Sequence, residues 1–244
     1  MNSYNDLAYI YDSLMHADIN YEEWADYIEN LFDRYGVSPS LVCDLACGTG
    51  NMTIPLAKRG YDMTGVDISS DMLNAAREKS PENILYLNQS ITKLDLFGTM
   101  GAFLCMIDGF NYILSPQLLI ESLKRIKNCF MDKDAVLIFD ISTRYKLKNV
   151  IGDNTFVHSE KDVFYTWQNR YIEYKNLSDM MLTFFTKKKS GYQRFEERHL
   201  QRAYTEEEMR YILKKAGFTS VDTYDELTFK KPRKKSERIV FVAR

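Results

Sequence analysis

The chain has 244 residues, of which 45% are hydrophobic and 27% are charged, and its formal net charge is -2. This is the composition of an ordinary globular protein, and the small net charge excludes a general electrostatic attraction to nucleic acid or to an anionic membrane. No basic segment followed by an apolar core opens the chain, and no apolar run approaches the roughly 20 residues that span a bilayer. We therefore expect a soluble, cytoplasmic protein with no membrane partner.

The first predicted elements are a helix, a strand and a glycine turn. Apolar residues recur at spacings of three and four from Tyr21 to Tyr35, which predicts an amphipathic helix. The run Leu41 to Gly50 (LVCDLACGTG) then has the form of an apolar strand and a glycine turn, which opens a helix over 52–58. A second strand ends at Gly65 to Ser69, and a helix over 72–79 follows. Together they resemble one half of a nucleotide-binding βαβ unit.

Three more short apolar runs follow this unit. Each is too short and too evenly apolar for a surface helix, which predicts strands buried on both faces at 84–87, 102–107 and 135–141. Between the last two, residues 116–130 carry leucines in helical register. Because strands and helices alternate from 41 to 141, we expect an α/β fold with a parallel, doubly wound sheet.

The pattern changes after residue 150. Aromatic and β-branched residues are concentrated at 163–172, 179–186 and 192–203, which predicts antiparallel strands. We therefore expect a main domain formed by residues 1–149 and 204–244, with an inserted antiparallel sheet at 150–203. This insertion is interpreted as a substrate lid or as the contact of a homodimer.

The last segment returns to the main domain. Thr205 to Glu208 has the form of a capping box and predicts a helix that Gly217 ends. Strands at 220–228 and 238–243 then flank a basic connection at 230–235. This connection invites a nucleic-acid interpretation, but we favour a solvated hairpin because only one short cluster carries the charge.

The glycine turn itself restricts the ligand. A dinucleotide site needs a small third residue, but Gly48 and Gly50 are followed by Thr53, and the P-loop spacing is absent as well. Asp44 stands just before the turn, where it would repel a pyrophosphate and attract a cation. Asp67 follows Gly48 by 19 residues, which is about the separation at which a carboxylate reaches a ribose hydroxyl. Adenosine joined to a cationic amino acid is S-adenosylmethionine.

At these residues the chain resembles the class I S-adenosylmethionine-dependent methyltransferases. Their first motif is similar to Asp44 to Gly50 (DLACGTG), and their second to Gly65 to Ser69 followed by Met72. The resemblance to small bacterial members also covers Ala8 to Met15, Tyr21 to Trp24, Asp108 to Tyr112 and Phe139-Asp140. It implies a mostly parallel, seven-stranded Rossmann-like sheet and S-adenosylmethionine as the cofactor.

The resemblance also implies the cofactor-binding residues. The backbone from Ala46 to Gly48 would hold the methionine moiety, Asp67 the ribose, and Ile68 with Met72 would pack near the adenine. Tyr11 and Trp24 would close over the cofactor. The complete predicted set is Tyr11, Trp24, Asp44, Ala46, Cys47, Gly48, Gly50, Asp67, Ile68, Met72, Gln89, Ser90, Ile91 and Asp108.

One position departs from the family's pattern. Members usually carry an aspartate near the adenine amino group, in a phrase such as Gln-Asp-Ile, whereas this chain has Gln89-Ser90-Ile91. A hydroxyl is a weaker acceptor than a carboxylate, so we expect weakened adenine binding rather than its loss.

Catalytic candidates follow the fourth strand. Methyl transfer from a sulfonium depends chiefly on alignment and exclusion of water, so no fixed triad is expected. Asp108, Asn111 and Tyr112 are the predicted catalytic residues, with Asp108 orienting an amine or removing its proton and Tyr112 shaping the methyl channel. The alternative is that Asp108 caps a helix and Tyr112 only packs.

Other residues carry weaker signals. Tyr165, Trp167 and Tyr171 share one face of a strand, where they form an aromatic substrate wall, a sheet core or a dimer contact. Asp140 either touches substrate or caps a turn. The isolated histidines His16, His158 and His199 are interpreted as structural, and the cysteines Cys43, Cys47, Cys105 and Cys129 lack the spacing of a metal or disulfide site.

The favoured function is methyl transfer to an N or O atom of a small-molecule acceptor. An RNA or protein methyltransferase is the first alternative, and a non-catalytic S-adenosylmethionine-binding protein is the second. A nicotinamide-dependent enzyme conflicts with Thr53 and Asp44. The sequence does not identify the acceptor.

Overall fold

The structure, a computed structural model, describes residues 19–81, 83–159 and 162–244. The predicted residues Tyr11 and His16 lie outside these ranges. Helices and strands alternate in the first part: α1 (Tyr21–Tyr35), β1 (Leu41–Leu45), α2 (Thr53–Lys58), β2 (Asp62–Asp67), α3 (Ser70–Lys79), β3 (Leu85–Asn88), β4 (Met100–Cys105), α4 (Pro116–Arg125) and β5 (Met131–Ser142). The second part contains β6 (Thr155–Ser159), β7 (Val163–Ile172), β8 (Leu177–Lys188), β9 (Gly191–Arg202), α5 (Glu206–Ala216), β10 (Val221–Asp225) and β11 (Arg238–Ala243).

Local chemistry explains where the helices begin and end. The Asn20 side chain accepts a hydrogen bond from the backbone of Glu23 at the start of α1, and Gly36 ends that helix in the left-handed conformation. At α5 the predicted capping box is present, because the Thr205 and Glu208 side chains each accept from the other residue's backbone N–H. Both helices therefore begin and end on signals that are visible in the sequence.

The main sheet confirms the predicted fold class. Its seven strands lie in the order β10-β11-β5-β4-β1-β2-β3, and β11 runs antiparallel to both of its neighbours while the others are parallel. The strand order reverses between β1 and β4. Ligands bind at such a switch point, beyond the carboxyl ends of the strands.

The hydrophobic core lies on the two faces of this sheet. Alternate residues of β1 point to opposite faces, so Cys43 and Leu45 belong to the cluster that includes α5, while Val42 belongs to the cluster that includes α1. Strands buried on both faces explain the continuous apolar runs of the sequence. Among the described residues, no helix combines the length and the hydropathy that a membrane span needs.

The four strands β6 to β9 form a separate antiparallel sheet, which we call the lid. The predicted strands correspond to β7, β8 and β9, and Lys188 pairs with Gly191 across the tight turn between the last two. The short strand β6 was not predicted. On one face of the lid the rings of His158, Tyr165, Phe184 and Phe195 lie side by side across all four strands, with centroids 5.1, 5.4 and 4.9 Å apart.

Candidate active site

The glycine turn after β1 leaves open space beside its backbone. Ala46, Gly48 and Gly50 all have positive φ, at 55°, 56° and 79°, and the turn is anchored by the Cys47 N–H, which donates to the Val66 carbonyl at 3.1 Å. A Cβ added to Gly48 would meet no atom of the described residues within 4 Å. The turn is therefore held rigidly by its own hydrogen bonds while one side of it stays free for a ligand.

Asp67 lies beside this turn at the end of β2. Its two carboxylate oxygens accept hydrogen bonds from the backbone of Gly48 at 2.9 Å and of Ser69 at 2.8 Å. Burial raises the pKa of the Asp67 carboxyl above its ordinary value, although these bonds oppose the shift. The next side chain, Ile68, is 74% exposed, which leaves an apolar surface beside the carboxylate.

Asp44 is enclosed behind the turn. It is only 2% exposed, and its Oδ2 accepts a hydrogen bond from the Thr53 hydroxyl at 2.6 Å. Burial raises the pKa of this carboxyl to about 7, against the hydrogen bond from Thr53. The sequence had singled out Thr53 only as a misfit to the dinucleotide pattern, and the structure shows that its hydroxyl holds Asp44 in place.

The segment after β3 is more engaged in local structure than the sequence predicted. The Gln89 side-chain amide both donates to and accepts from the backbone of Asp95, at 3.0 and 2.9 Å. Ser90 caps a short turn by accepting from the Thr92 N–H, and Ile91 packs against the core. The Gln89 amide is thus bonded within this segment, and the assignment of Gln89 to the cofactor site stays a prediction.

Trp24 and Met72 differ in what they offer to a ligand. Trp24 is 2% exposed and packs in the core cluster with Met52 and Leu56, so it does not present a ring that closes over a cofactor as predicted. Met72, in the first turn of α3, remains half-buried and lies near the exposed Ile68 in sequence.

A cavity of about 530 Å³ lies between the carboxyl end of the main sheet and the lid. Side chains of the lid supply an apolar and aromatic wall that includes Tyr165, Trp167 and Leu182. Polar and charged residues line the rest: Asp108, Tyr112, Ser142, Lys146, His199, Gln201, Glu226 and Arg238. The Trp167 indole N–H has no hydrogen-bond partner among the described residues.

Asp108 joins the cavity to the glycine turn. It has φ 56°, and its Oδ2 accepts hydrogen bonds from the Ser142 hydroxyl and the Gln201 amide, both at 3.0 Å. The next residue, Gly109, packs so closely on the turn that an added Cβ would lie 3.0 Å from the Ala46 Cβ. The same backbone segment therefore borders both the open space beside Gly48 and the cavity.

Asp140 holds this segment from below. It is fully buried in β5, accepts hydrogen bonds from the backbone of Ile107 and Asp108, and forms an ion pair with Arg238 of β11. Although burial opposes it, the carboxylates of Asp140 and Asp108 raise the pKa of the Arg238 guanidinium. Asp140 therefore caps no turn, since it lies within β5, and its oxygens stabilise the backbone at 107–108.

The three predicted catalytic residues, Asp108, Asn111 and Tyr112, have different surroundings in the structure. Asn111 is fully buried, and its amide is bonded to the backbone of Ser142 in both directions and to the Arg202 carbonyl. It therefore ties β5 to β9 and has no free donor, which contradicts a catalytic role. Tyr112 instead lines the cavity.

His199 is a site residue that sequence reasoning missed. Its Nδ1 lies 3.2 Å from the Tyr112 hydroxyl and its Nε2 lies 3.1 Å from Glu197 Oε2. Nothing in the local sequence indicates this, since Tyr112 and His199 are 87 positions apart. Only the docking of the lid on the main sheet brings them together.

The basic connection at 230–235 and the four cysteines were also singled out in the sequence. In the basic connection Arg233 pairs with Asp225 at 3.1 Å, and the lysines from Lys230 to Lys235 are exposed. Cys43, Cys47 and Cys105 are buried free thiols, and Cys129 is exposed. Within the described ranges no cluster of three or more histidine, cysteine or acidic residues has the geometry of a metal site.

Comparisons with known proteins agree with this geometry. Residues 42–131 match a family model described as a methyltransferase domain. YqeM of Bacillus subtilis, whose name places it among the methyltransferases, is 34% identical over 98% of this chain and 96% of its own length. The crystal structure of an S-adenosylmethionine-dependent methyltransferase from Clostridium acetobutylicum has a TM-score of 0.89 and 34% identity, covering 99% of this chain and 98% of that one.

A more distant solved structure shares the fold. The sugar N-methyltransferase KedS8 of a Streptoalloteichus species has a TM-score of 0.78 and 16% identity, with 96% of this chain and 91% of that chain covered. At this identity the likeness concerns the arrangement of the elements alone.

Proposed function

Because the chain belongs to the class I S-adenosylmethionine-dependent methyltransferases, we propose that it methylates an N or O atom of a small molecule bound in the cavity beneath the lid. The observation that carries this proposal is the position of the cavity. It is bordered by Asp108 and Tyr112, at the point where β4 meets the glycine turn.

The residues beside the glycine turn fit S-adenosylmethionine. The open space at Gly48 admits a ligand against the backbone, and the buried carboxyl of Asp44 suits the ammonium group. Beyond its backbone bonds from Gly48, Ser69 and Ile68, the Asp67 carboxylate keeps lone-pair capacity for a ribose hydroxyl. The exposed Ile68 supplies an apolar surface for the adenine.

The size and lining of the cavity favour a small acceptor. Its volume of about 530 Å³ falls in the range of about 300 to 1,000 Å³ typical of small-molecule sites. Its wall is aromatic and apolar, with a few polar groups gathered near Asp108. The fold is also shared with a sugar N-methyltransferase, which supports amines and amino sugars as the first acceptors to test.

In this proposal the protein aligns the reactants and excludes water. When bound, S-adenosylmethionine supplies a methyl group activated by its positive sulfur, which keeps the electrons of the broken carbon–sulfur bond. The lid covers the acceptor, the aromatic wall fixes its apolar part, and Asp108 with Tyr112 orients the attacking atom. Such alignment accounts for most of the rate that enzymes of this kind require.

The test measures S-adenosylhomocysteine formation with a panel of amines, amino sugars, phenols and hydroxy acids, alongside RNA and protein substrates. Leu182→Trp fills the cavity from β8, whereas Thr183→Trp places the same ring on the opposite face of the lid. We expect turnover of a small acceptor that Leu182→Trp reduces at least tenfold and Thr183→Trp preserves, with S-adenosylhomocysteine binding unchanged in both.

Turnover of RNA or protein with none of the small molecules would refute the small-molecule acceptor. Equal activity in the two tryptophan variants would show that the cavity is not the acceptor site. Thermal unfolding of both variants establishes that any loss of turnover does not come from misfolding.

A further inference from the structure

Glu197, His199 and Tyr112 form a continuous row of polar contacts, in which Tyr112 and His199 line the cavity. Glu197 Oε2 lies 3.1 Å from His199 Nε2, and His199 Nδ1 lies 3.2 Å from the Tyr112 hydroxyl. Glu197 and His199 are alternate residues of β9 and share one face of the lid. Tyr112 comes from the turn after β4, at the carboxyl end of the main sheet. These three side chains therefore connect the lid to the turn after β4, which packs on the glycine turn.

The partners of His199 define its tautomer. A carboxylate only accepts hydrogen bonds, so the imidazole nitrogen beside Glu197 carries the proton. The other nitrogen, Nδ1, then has a lone pair and accepts the hydrogen of the Tyr112 hydroxyl. The Gln201 amide also donates to the Tyr112 oxygen, which leaves that oxygen one further lone pair for the cavity that the residue lines. The arrangement is that of a base held behind a hydroxyl.

Asp108 is less suited to take a proton. Both donors to its Oδ2, the Ser142 hydroxyl and the Gln201 amide, are in place, and its Oδ1 lies 3.8 Å from Arg238. Tyr112 does not ionise unaided either, because burial and the Asp108 carboxylate raise its pKa well above the ordinary value. A hydroxyl at this position needs an acceptor for its own proton, and His199 is the neighbour that provides one.

We propose, on the basis of the function proposed above, that Tyr112 is the catalytic group that accepts the proton of the acceptor and passes its own to His199, which Glu197 orients. As the acceptor's lone pair forms the bond to the methyl carbon, its N–H or O–H proton moves to Tyr112 Oη. The Tyr112 hydroxyl proton moves to His199 Nδ1, and solvent later removes it. The positive charge lost from the sulfur is thus carried by the imidazole, 3.1 Å from the Glu197 carboxylate.

Charged groups of both signs surround His199. Glu197 lies on its own strand, Asp108 is bonded to Gln201, and the cavity lining also carries Lys146, Arg238 and Glu226. The cross-strand neighbours of His199 on β8 and β7, Met180 and Asn169, are uncharged. The substrate class implied is an acceptor whose attacking atom carries both a lone pair and a proton, such as a hydroxyl or a neutral amine.

The first experiment needs no acceptor. Nitrogen-15 NMR of the protein saturated with S-adenosylhomocysteine reports the tautomer of each of its 3 histidines, and the loss of one set of signals in His199→Asn assigns them. We expect the Nε2–H tautomer to predominate for His199 and its population to fall in Glu197→Gln. In Tyr112→Phe the nitrogen-15 chemical shift of His199 Nδ1 should change. A predominant Nδ1–H tautomer would overturn the proposal.

The second experiment uses an acceptor from the panel. We expect His199→Asn and Tyr112→Phe to lower kcat by about 100-fold or more with little change in KM. The pH profile of kcat should change in His199→Asn and in Glu197→Gln. Arg198→Gln, between the two on the opposite face of β9, is the matched control and should keep the wild-type profile.

The two proposals fail in different ways. If no small acceptor is methylated, the proposed function fails. The NMR experiment then still shows whether His199 has the tautomer that the hydrogen bonds to Glu197 and Tyr112 require. If an acceptor is methylated with the same kcat and pH profile in His199→Asn, the assignment of the proton path is wrong and the proposed function stands.

Discussion

The cofactor side and the acceptor side of the active site are built in different ways. On the cofactor side, neighbouring turns present backbone groups and two carboxylates, Asp44 and Asp67, that come from adjacent parallel strands. On the acceptor side, side chains from segments as distant as Ile107 and Arg238 line one cavity. Backbone contacts survive most substitutions, whereas a side-chain wall changes with each one. The cofactor side is therefore suited to one ligand, and the acceptor side to being reshaped.

Among the changes on the acceptor side, we expect the largest effect from removing the ion pair between Asp140 and Arg238. Arg238→Met leaves the fully buried Asp140 without its partner, and we expect the free energy of unfolding to fall by about 3–5 kcal/mol. Arg233→Met removes an ion pair whose arginine is 82% exposed, and should cost less than about 1 kcal/mol. Urea unfolding compares the two variants. Equal losses would mean that the Asp140–Arg238 pair does not support the acceptor side.

On the cofactor side, we expect the largest effect from removing the charge of Asp44. Asp44→Asn should weaken S-adenosylhomocysteine binding about 10- to 100-fold, because a charged hydrogen bond contributes about 1.5–3 kcal/mol. Calorimetry measures this change, and an unaltered affinity would remove Asp44 from the binding site.

The same carboxyl predicts a pH dependence. Its pKa of about 7 in the free protein means that it is largely protonated at pH 6, and a cationic ligand favours its ionised form. We therefore expect binding to release up to one proton near pH 6 and affinity to rise until about pH 7. Its unfolded pKa is ordinary, so the stability of the free protein should instead fall as pH rises from about 4 to 7. Calorimetry in buffers of different ionisation enthalpy detects the proton, which Asp44→Asn should abolish.

A substitution at Gly65, which packs beneath the glycine turn, should lower stability by a somewhat smaller amount. A Cβ at Gly65 would lie 2.6 Å from the Tyr86 ring and 2.9 Å from Cys47 Sγ, so Gly65→Ala should cost about 1–3 kcal/mol of stability. It should also weaken cofactor binding, since Cys47 belongs to the turn. At Gly98 a Cβ would meet nothing within 4 Å, and Gly98→Ala should change stability by less than about 0.5 kcal/mol. Chemical unfolding distinguishes the two, and a harmless Gly65→Ala would contradict the close packing.

The smallest expected effect is a gain in cofactor affinity from a substitution at Ser90. Ser90 caps its turn by accepting from the Thr92 N–H, a role that aspartate also fills. Ser90→Asp should keep the cap, supply the charged acceptor usual in the family, and tighten S-adenosylhomocysteine binding by up to about tenfold. Unchanged or weaker binding by calorimetry would reject this role for position 90.

Sequence reasoning succeeded where the chemistry is local. The helix over Tyr21–Tyr35 and the parallel, doubly wound sheet follow from periodicities within short windows, while the number of seven strands was implied by the family resemblance. Strand β4 ends before its predicted end, because Ile107 and Asp108 have positive φ to meet the Asp140 carboxylate. That contact spans 33 residues, which no local pattern records.

The candidate site was predictable only in part for the same reason. Ala46 to Gly50 was found because a glycine turn needs particular residues in succession. Trp24 and Asn111 were misplaced, since a pattern names a residue without showing whether its side chain is already satisfied in the core. His199 was missed because its partner Tyr112 belongs to a different sheet-forming unit.

The placement of the tryptophans gives the protein an internal optical probe. The sequence has 2 of them: Trp24 is sealed in the core, while Trp167 lines the cavity with an unpaired indole N–H among the described residues. An entering molecule changes the polarity around one indole and leaves the other untouched. The intrinsic fluorescence of a Trp24→Phe variant should therefore report occupancy of the cavity, so that acceptors can be found by emission colour before any product is known.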